Sequence, residues 1–183
     1  KGGDWYAKVG TDKSSGSKLF SVSGDCEKPG VYELPWGTKI RELLKLVGAK
    51  DTKAVQIGGA SGVCVNASHF DRVLAYEDLA TGGSIMIFGK NRDMLKVLKN
   101  FMEFFVEESC GQCTPCRIGN TKLLEGVEMI ERGEFTFDYI NKLKELGLTM
   151  QIASKCGLGQ SSPNSFISIL ENFKDEILNK TEA

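Results

Sequence analysis

Three cysteines of this chain lie close together in the stretch SCGQCTPC, which begins at Ser109. Cys110, Cys113 and Cys116 follow the spacing C-x2-C-x2-C. This spacing lets one short loop direct three thiolates at a common centre, while backbone N–H groups of the loop hydrogen-bond the sulfur atoms of a cluster. A [4Fe–4S] cluster needs a fourth ligand. The triplet therefore predicts an iron–sulfur site that is completed elsewhere in the chain.

The fourth ligand must come from the remaining cysteines, which are Cys26, Cys64 and Cys156. In bacterial ferredoxins a further cysteine follows as C-x3-C-P and binds a second cluster, but that position is Asn120 here and no second triplet exists. Cys156 lies in SKCGLGQSSP, a glycine-containing loop that can approach a cluster closely. We therefore predict Cys156 as the fourth ligand, and Cys26 and Cys64 as small buried hydrophobic side chains.

Two other cysteine chemistries compete with the cluster. Four cysteines can bind zinc, although structural zinc sites usually use two C-x2-C pairs rather than a triplet and a single residue. A redox-active C-x2-C pair is disfavoured because neither pair lies in a βαβ context. A disulfide framework is also disfavoured, since the six cysteines occur without an export signal.

After residue 90 the sequence on both sides of these cysteines has the apolar spacing of helices. The Phe and Met residues of this region recur at that spacing and are expected to form a core rather than to contact a cofactor. Asn91 is a candidate N-cap, and Ser162 before Pro163 is typical of a helix start. The pattern predicts a small four-helix bundle, with helices at 91–109, 117–132, 135–148 and 161–178.

The first half has shorter, turn-rich elements. A strand over 18–25 and a returning strand over 31–34 predict a hairpin, and 37–48 predicts a helix capped by Thr38. Further strands are expected at 53–59 and 84–89, so the fold class is α+β. Two features are expected to be structural: GGASG at 58–62 is a turn rather than a phosphate loop, and His69 is a surface or loop residue.

Composition limits the possible partners. The formal net charge is −1, with 23 basic and 24 acidic side chains interleaved along the chain. This charge balance does not provide the positive surface that binds nucleic acid. It is compatible with a small ligand or a protein as the partner. No apolar run is long enough to span a membrane, and no signal-peptide core precedes the first strand. We expect a soluble, cytoplasmic protein that is either a fragment, since the chain lacks an initial Met, or a separately encoded subunit completed by a partner chain.

The motif ESCGQCTPCRIGN at 108–120 resembles the flavin- and NADH-binding subunit of respiratory complex I. It also resembles the matching subunit of NAD(P)-reducing, often electron-bifurcating, [FeFe] hydrogenases, and the sequence CGLGQ is closer to this hydrogenase branch. The resemblance implies a β-grasp (soluble-ligand-binding) domain at 18–90, from KLFSVSGDCEKPGVYELPWGT and AVQIGGASGVCV, and a helical [4Fe–4S]-binding domain at 91–183. It also implies that residues 1–17 end a flavin and nucleotide domain that has no counterpart here.

The resemblance further implies an electron relay. In the complete enzyme FMN would take hydride from NAD(P)H, and one-electron iron–sulfur centres would carry the electrons away. Gly157 and Leu158 would face the flavin, and a thioredoxin-like [2Fe–2S] subunit would be a partner. Arg117, directly after Cys116, is placed to offset cluster charge, or else is a solvated residue at a helix start. The chain alone is expected not to oxidise NAD(P)H.

Two alternatives to a relay remain. The first is a ligand- or partner-binding module whose four cysteines hold a structural, redox-silent metal, with zinc as the expected ion. The second is a docking segment within a larger oxidoreductase. The identity of the metal distinguishes the binding module from a relay. A test of whether electrons pass through the chain distinguishes the docking segment from a relay.

Overall fold

The computed structural model describes residues 1–178, which divide into two compact units. The first unit covers Lys1–Arg92 and contains every strand of the described residues, whereas the second begins at Asp93 and is helical. The architecture is therefore α+β. None of the helices in the described part of the chain is long and apolar enough to cross a membrane.

The first unit is built on a mixed five-stranded sheet with the order β2-β1-β5-β3-β4. β1 and β5 are parallel, and the other neighbouring strands are antiparallel. One sheet face packs against α2, whose Ile40, Leu43 and Leu44 are buried in the core with Phe20 and Ile85. The elements are α1 (Gly3–Tyr6), β1 (Ser17–Gly24), β2 (Gly30–Pro35), α2 (Ile40–Leu46), β3 (Thr52–Ile57), β4 (Val63–Asn66) and β5 (Ser84–Gly89).

The predicted hairpin is confirmed, because β1 pairs with β2 in antiparallel register. The prediction of Thr38 as a helix cap is wrong. Its hydroxyl donates to the Pro35 carbonyl at 2.7 Å. The capping residue of α2 is Lys39, one residue later, whose N–H donates to the Glu42 carboxylate at 3.2 Å. β4 was not predicted, since it contains only four residues.

Two features of the first unit behave as expected. The GGASG segment forms a short 3₁₀ turn, Gly59–Ser61, between β3 and β4. His69 is exposed, and its Nδ1 lies 3.0 Å from Asn66 Oδ1. Residues 1–17 are part of this unit, and the Ser14 hydroxyl accepts from the Tyr76 N–H at 2.9 Å. Their assignment to the end of another domain stays a prediction.

An ion pair joins the ends of the two parallel strands. The Asp25 carboxylate follows β1 and accepts from Arg92 in a bidentate pair, at 2.7 Å for both nitrogen atoms. It also accepts from the Gly89 N–H at the end of β5. Hydrogen bonding to Arg92, followed by the bond from Gly89, lowers the pKa of Asp25 to about 2.

We expect this pair to make the stability of the first unit depend on acid pH. The folded pKa of Asp25 lies below the unfolded value, so its contribution is complete above about pH 4 and is lost as the pH falls towards 2. Asp25→Asn should cost about 1 kcal/mol at pH 7, since solvent screens a partly exposed pair. Urea unfolding from pH 7 to pH 3 measures the effect. Asp71→Asn, which breaks the more exposed pair with Arg41, should cost less. Equal losses in the two variants would contradict the assignment.

The second unit contains four long helices and two short ones among its described residues. α3 packs against α4 and α7, and α5 packs against the same two helices. The predicted Phe and Met core is confirmed by the burial of Phe101, Met102, Phe105, Met150 and Phe166. The helices are α3 (Met94–Glu108), α4 (Thr114–Glu131), α5 (Phe137–Ala153), α6 (Gly157–Ser161), α7 (Pro163–Asn172) and α8 (Lys174–Leu178).

The helix starts of the second unit differ in part from the predictions. Asn91 is not the cap of α3, because the Asp93 carboxylate accepts from the Leu95 N–H at 3.1 Å and the helix begins after it. α7 begins at Pro163 as expected, but Ser162 is itself helical and makes no capping bond. The predicted fourth helix is interrupted at Phe173, which leaves the helical region at φ −130° and ψ 26°.

Close packing of α4 on α5 brings the end of α5 towards the start of α4. Gly119 is buried on α4, and a Cβ at this position would lie 2.3 Å from the Met150 sulfur. A Cβ at Gly126, two turns later, would lie 2.2 Å from Leu143 Cδ1. The two glycines let the helix axes approach. The segment after α5, which contains Cys156, therefore lies beside the first turn of α4.

Candidate metal centre

The cysteine triplet spans the junction between α3 and α4. Cys110 is exposed in the connecting loop, where Gly111 adopts the left-handed conformation with φ 72°. Cys113 is the residue before α4, and Cys116 is in its first turn and is 4% exposed. The prediction that the second helix follows Cys116 is therefore wrong by three residues, because the helix begins at Thr114. The start of this helix positions two of the three thiols.

Backbone N–H groups hydrogen-bond the Cys113 sulfur. The N–H of Lys155 contributes most and that of Cys116 next, and together they hold the pKa of the Cys113 thiol below its ordinary value. Such donors favour the thiolate, which is the form that binds metal. Lys155 directly precedes Cys156, so this bond joins the segment of the predicted fourth ligand to the triplet.

A second contact joins the same two segments. Gly159 of α6 is buried, and a Cβ built on it would lie 2.8 Å from the Cys116 Cβ and 2.6 Å from Ser154 Oγ. Any larger residue would push α6 away from α4. Cys156 and Gly157 are exposed beside this contact, and Leu158 is half-buried. The structure thus places the loop of Cys156 against Cys113 and Cys116.

Side-chain donors surround the Cys116 sulfur. Ser109 Oγ and Asn120 Nδ2 each lie 3.4 Å from Cys116 Sγ. The Arg117 guanidinium donates to the Gly111 carbonyl, which lies in the loop between Cys110 and Cys113. Sequence reasoning missed Asn120 and Ser109 as neighbours of the site. The i, i+4 spacing of Cys116 and Asn120 on one helix was the available signal.

The side chains brought together here suit an iron–sulfur cluster. Cysteine thiolates are the ligands of [4Fe–4S] clusters, and hydrogen-bond donors to their sulfur atoms offset the negative charge. Gly159 lets the segment that follows Cys156 approach Cys116 closely. Within residues 1–178 no three Cys, His, Asp or Glu side chains form a group that could hold a single metal ion.

The other two cysteines lie in the first unit. Cys64 is fully buried in β4, and burial raises the pKa of its thiol to about 12. Cys26 is half-buried and packs against the hydrophobic core. The prediction of a small buried side chain is confirmed for Cys64 and holds in part for Cys26.

Residues 96–180, within the helical unit, match the model of the NADH-ubiquinone oxidoreductase-F iron-sulfur binding region. The iron–sulfur binding region contains the Cys110–Cys116 triplet and Cys156, and the match indicates a [4Fe–4S] cluster as its cofactor.

Sequence similarity to relatives extends beyond residues 96–180 to nearly the whole chain. The NAD-reducing hydrogenase HoxS subunit alpha of Cupriavidus necator is 45% identical over 98% of this chain and 30% of its own length. The NADP-reducing hydrogenase subunit HndC of Solidesulfovibrio fructosivorans is 36% identical over 96% of the chain. A subunit of the NADH-quinone oxidoreductase of Mycobacterium tuberculosis is 34% identical over 98% of the chain. The chain spans 30% to 43% of the length of these relatives.

A solved hydrogenase structure also matches this chain. The crystal structure of NAD+-reducing [NiFe]-hydrogenase in the H2-reduced state superposes with a TM-score of 0.90 and 35% identity. The superposition covers 96% of this chain and 31% of that chain. This enzyme is a [NiFe] hydrogenase, so the likeness to hydrogenase subunits is not restricted to the [FeFe] class.

Proposed function

We propose that this chain is the electron-relay portion of an NAD(P)H-linked flavin and iron–sulfur oxidoreductase of the hydrogenase type. The observation that carries the proposal is the family match over residues 96–180, which includes the triplet and the adjoining Cys156 loop. The four ligands would be Cys110, Cys113, Cys116 and Cys156. When bound, a [4Fe–4S] cluster accepts and donates one electron at a time without a change in covalent bonds.

The residues of the chain supply the surroundings that such a relay needs. Cys116 is withdrawn from water, and Cys113 receives two backbone N–H bonds that stabilise negative charge on sulfur. Cys110 and Cys156 are exposed, which keeps one side of the site open to an electron donor or acceptor. Gly157 and Leu158, on the same loop, are candidates for the side that faces a flavin.

The larger assembly belongs to the proposal as well. FMN and NAD(P) would be bound by other parts of the complete enzyme, since the relatives are more than twice the length of this chain. The relatives are subunits by name, which supports the presence of partner subunits. The proposal assigns further iron–sulfur centres to these partners, one of which would be a thioredoxin-like [2Fe–2S] subunit. A β-grasp fold for 18–90, a four-helix bundle for 91–183 and a cytoplasmic location complete the proposal; the mixed sheet and the helix packing support the first two.

Metal analysis of the full chain tests the proposal. Anaerobic reconstitution with iron and sulfide should give about four irons and four sulfides per chain, and dithionite should produce a fast-relaxing S = 1/2 EPR signal. Stoichiometric zinc without such a signal, after expression with both metals available, would contradict a relay. It would support the alternative of a binding module with a structural four-cysteine site.

Arg117 provides a test of charge at the site. Arg117→Glu should lower the midpoint potential on the order of tens of millivolts, because an exposed charge is partly screened by solvent and salt. Both Arg117→Gln and Arg117→Glu remove the hydrogen bond to Gly111, but the second changes the charge by two units. An EPR-monitored redox titration should therefore give about twice the shift for Arg117→Glu. Equal shifts would assign the effect to the lost hydrogen bond.

A further inference from the structure

Asn120 occupies the position at which C-x3-C spacing would place a further cysteine ligand. It lies one helical turn after Cys116 and is fully buried, with Nδ2 3.4 Å from Cys116 Sγ. A thiolate only accepts hydrogen bonds, and in the amide only the NH₂ group donates. The orientation of the amide is therefore fixed by the sulfur when Cys116 binds metal.

The other end of the amide shows that Asn120 is not a packing residue. Its Oδ1 is buried and has no hydrogen-bond partner among the described residues. An unsatisfied buried polar atom costs about 1–3 kcal/mol. Leucine has a similar volume and would fill this space without that cost. The compensating interaction of the side chain is thus the N–H bond to Cys116.

Cys116 depends on protein donors more than the other predicted ligands do. Cys110 and Cys156 are exposed, so water can hydrogen-bond their sulfur atoms. Cys116 is 4% exposed and has two side-chain neighbours, Ser109 and Asn120, with donors within reach. Hydrogen bonds are strongest where solvent is excluded. A change at Asn120 therefore acts on the least solvated of the four thiolates.

We propose that Asn120 is a positioning residue that donates a hydrogen bond to the Cys116 thiolate and raises the midpoint potential of the cluster. The inference rests on the proposed function. A donor at the sulfur stabilises the additional negative charge of the reduced form more than it stabilises the oxidised form. Loss of the donor should therefore make the cluster harder to reduce.

The test compares the reconstituted full chain with Asn120→Leu in an EPR-monitored redox titration. We expect the variant to retain its irons and to shift to a lower midpoint potential. Asn100→Leu makes the same replacement at an exposed position of α3 and should leave the potential unchanged. A fully loaded Asn120→Leu chain with the parent potential would overturn the inference. A parent chain without a [4Fe–4S] signal would instead contradict the proposed function.

A measurement on the unaltered chain decides the matter if Asn120→Leu does not assemble the cluster. Pulsed EPR of the reduced chain, labelled with 15N at asparagine side-chain amides, should show a 15N hyperfine coupling from an amide hydrogen-bonded to a ligand sulfur. Asn120→Ser, which has no side-chain amide at this position, should lack it. Absence of the coupling in the loaded parent chain would overturn the inference.

Discussion

Cys156→Ser is expected to remove most of the iron from the anaerobically reconstituted chain, from about four irons to a small fraction, and to abolish or replace its EPR signal. Serine oxygen is a poor substitute for the soft thiolate that iron–sulfur clusters select. Cys156 is exposed, so the exchange should leave the helices intact. Iron and sulfide assays with EPR measure the effect, and far-UV circular dichroism checks the fold.

Cys26→Ser is the matched control for this experiment. Cys26 is half-buried in the first unit and packs against its core, and we assign it no metal. This variant should keep about four irons and the parent EPR signal. The reverse result, with full iron in Cys156→Ser and a loss in Cys26→Ser, would move the fourth ligand to Cys26. Cys64 is a poor candidate in either case, because burial keeps its thiol protonated.

Gly159→Ala is expected to destabilise the second unit by about 1–3 kcal/mol and to reduce its iron content. The added methyl would meet Ser154 Oγ at 2.6 Å and the Cys116 Cβ at 2.8 Å. Neither neighbour can retreat freely, since both belong to backbone segments that are packed together. α6 must therefore shift away from α4, and the Lys155 bond to Cys113 is expected to weaken with it. Urea unfolding of the apo chain and iron assays after reconstitution measure the two effects.

Gly157→Ala provides a close control because it lies two residues earlier in the same short helix. Nothing lies within 4 Å of a Cβ at Gly157, and its φ does not fall in the left-handed region. Alanine also restricts the unfolded chain more than glycine does, so stability should stay the same or rise by up to about 1 kcal/mol. Iron content should not change. Parent-like stability and iron in Gly159→Ala would show that the α4 and α6 segments are not held together as described.

Much of this architecture follows from local sequence patterns. The long helices repeat apolar residues at helical spacing over several turns, and the burial of Phe105 and Phe166 agrees with that pattern. The β1–β2 hairpin was predictable because its strands are separated by a short turn. β4 was not, since four residues provide too few alternations to define a strand. Asn91 was predicted as the cap of α3 instead of Asp93, because the position of the first helical turn is not fixed by the apolar spacing.

The candidate site was predictable in its cysteines but not in its surroundings. The spacing predicted that Cys110, Cys113 and Cys116 bind one metal centre, and their role as ligands stays a prediction. The contacts from Lys155 and Gly159 depend on how the end of α5 packs beside α4, which no local pattern describes. The signal for Asn120 was its i, i+4 spacing from Cys116 on one helix, but the burial of its amide is recognised only once the packing around it is known.

β5 is the last strand of the first unit to be synthesised, and it lies between β1 and β3. The β1–β2 and β3–β4 hairpins cannot join into one sheet until residues 84–89 have left the ribosome. The pairing of Ser21 with Ser84 closes a long loop, and such non-local pairing slows folding. Until then β1 and β3 each have an open edge that can pair with another nascent chain. The rate at which β5 emerges therefore sets how long these two edges stay exposed to misassembly.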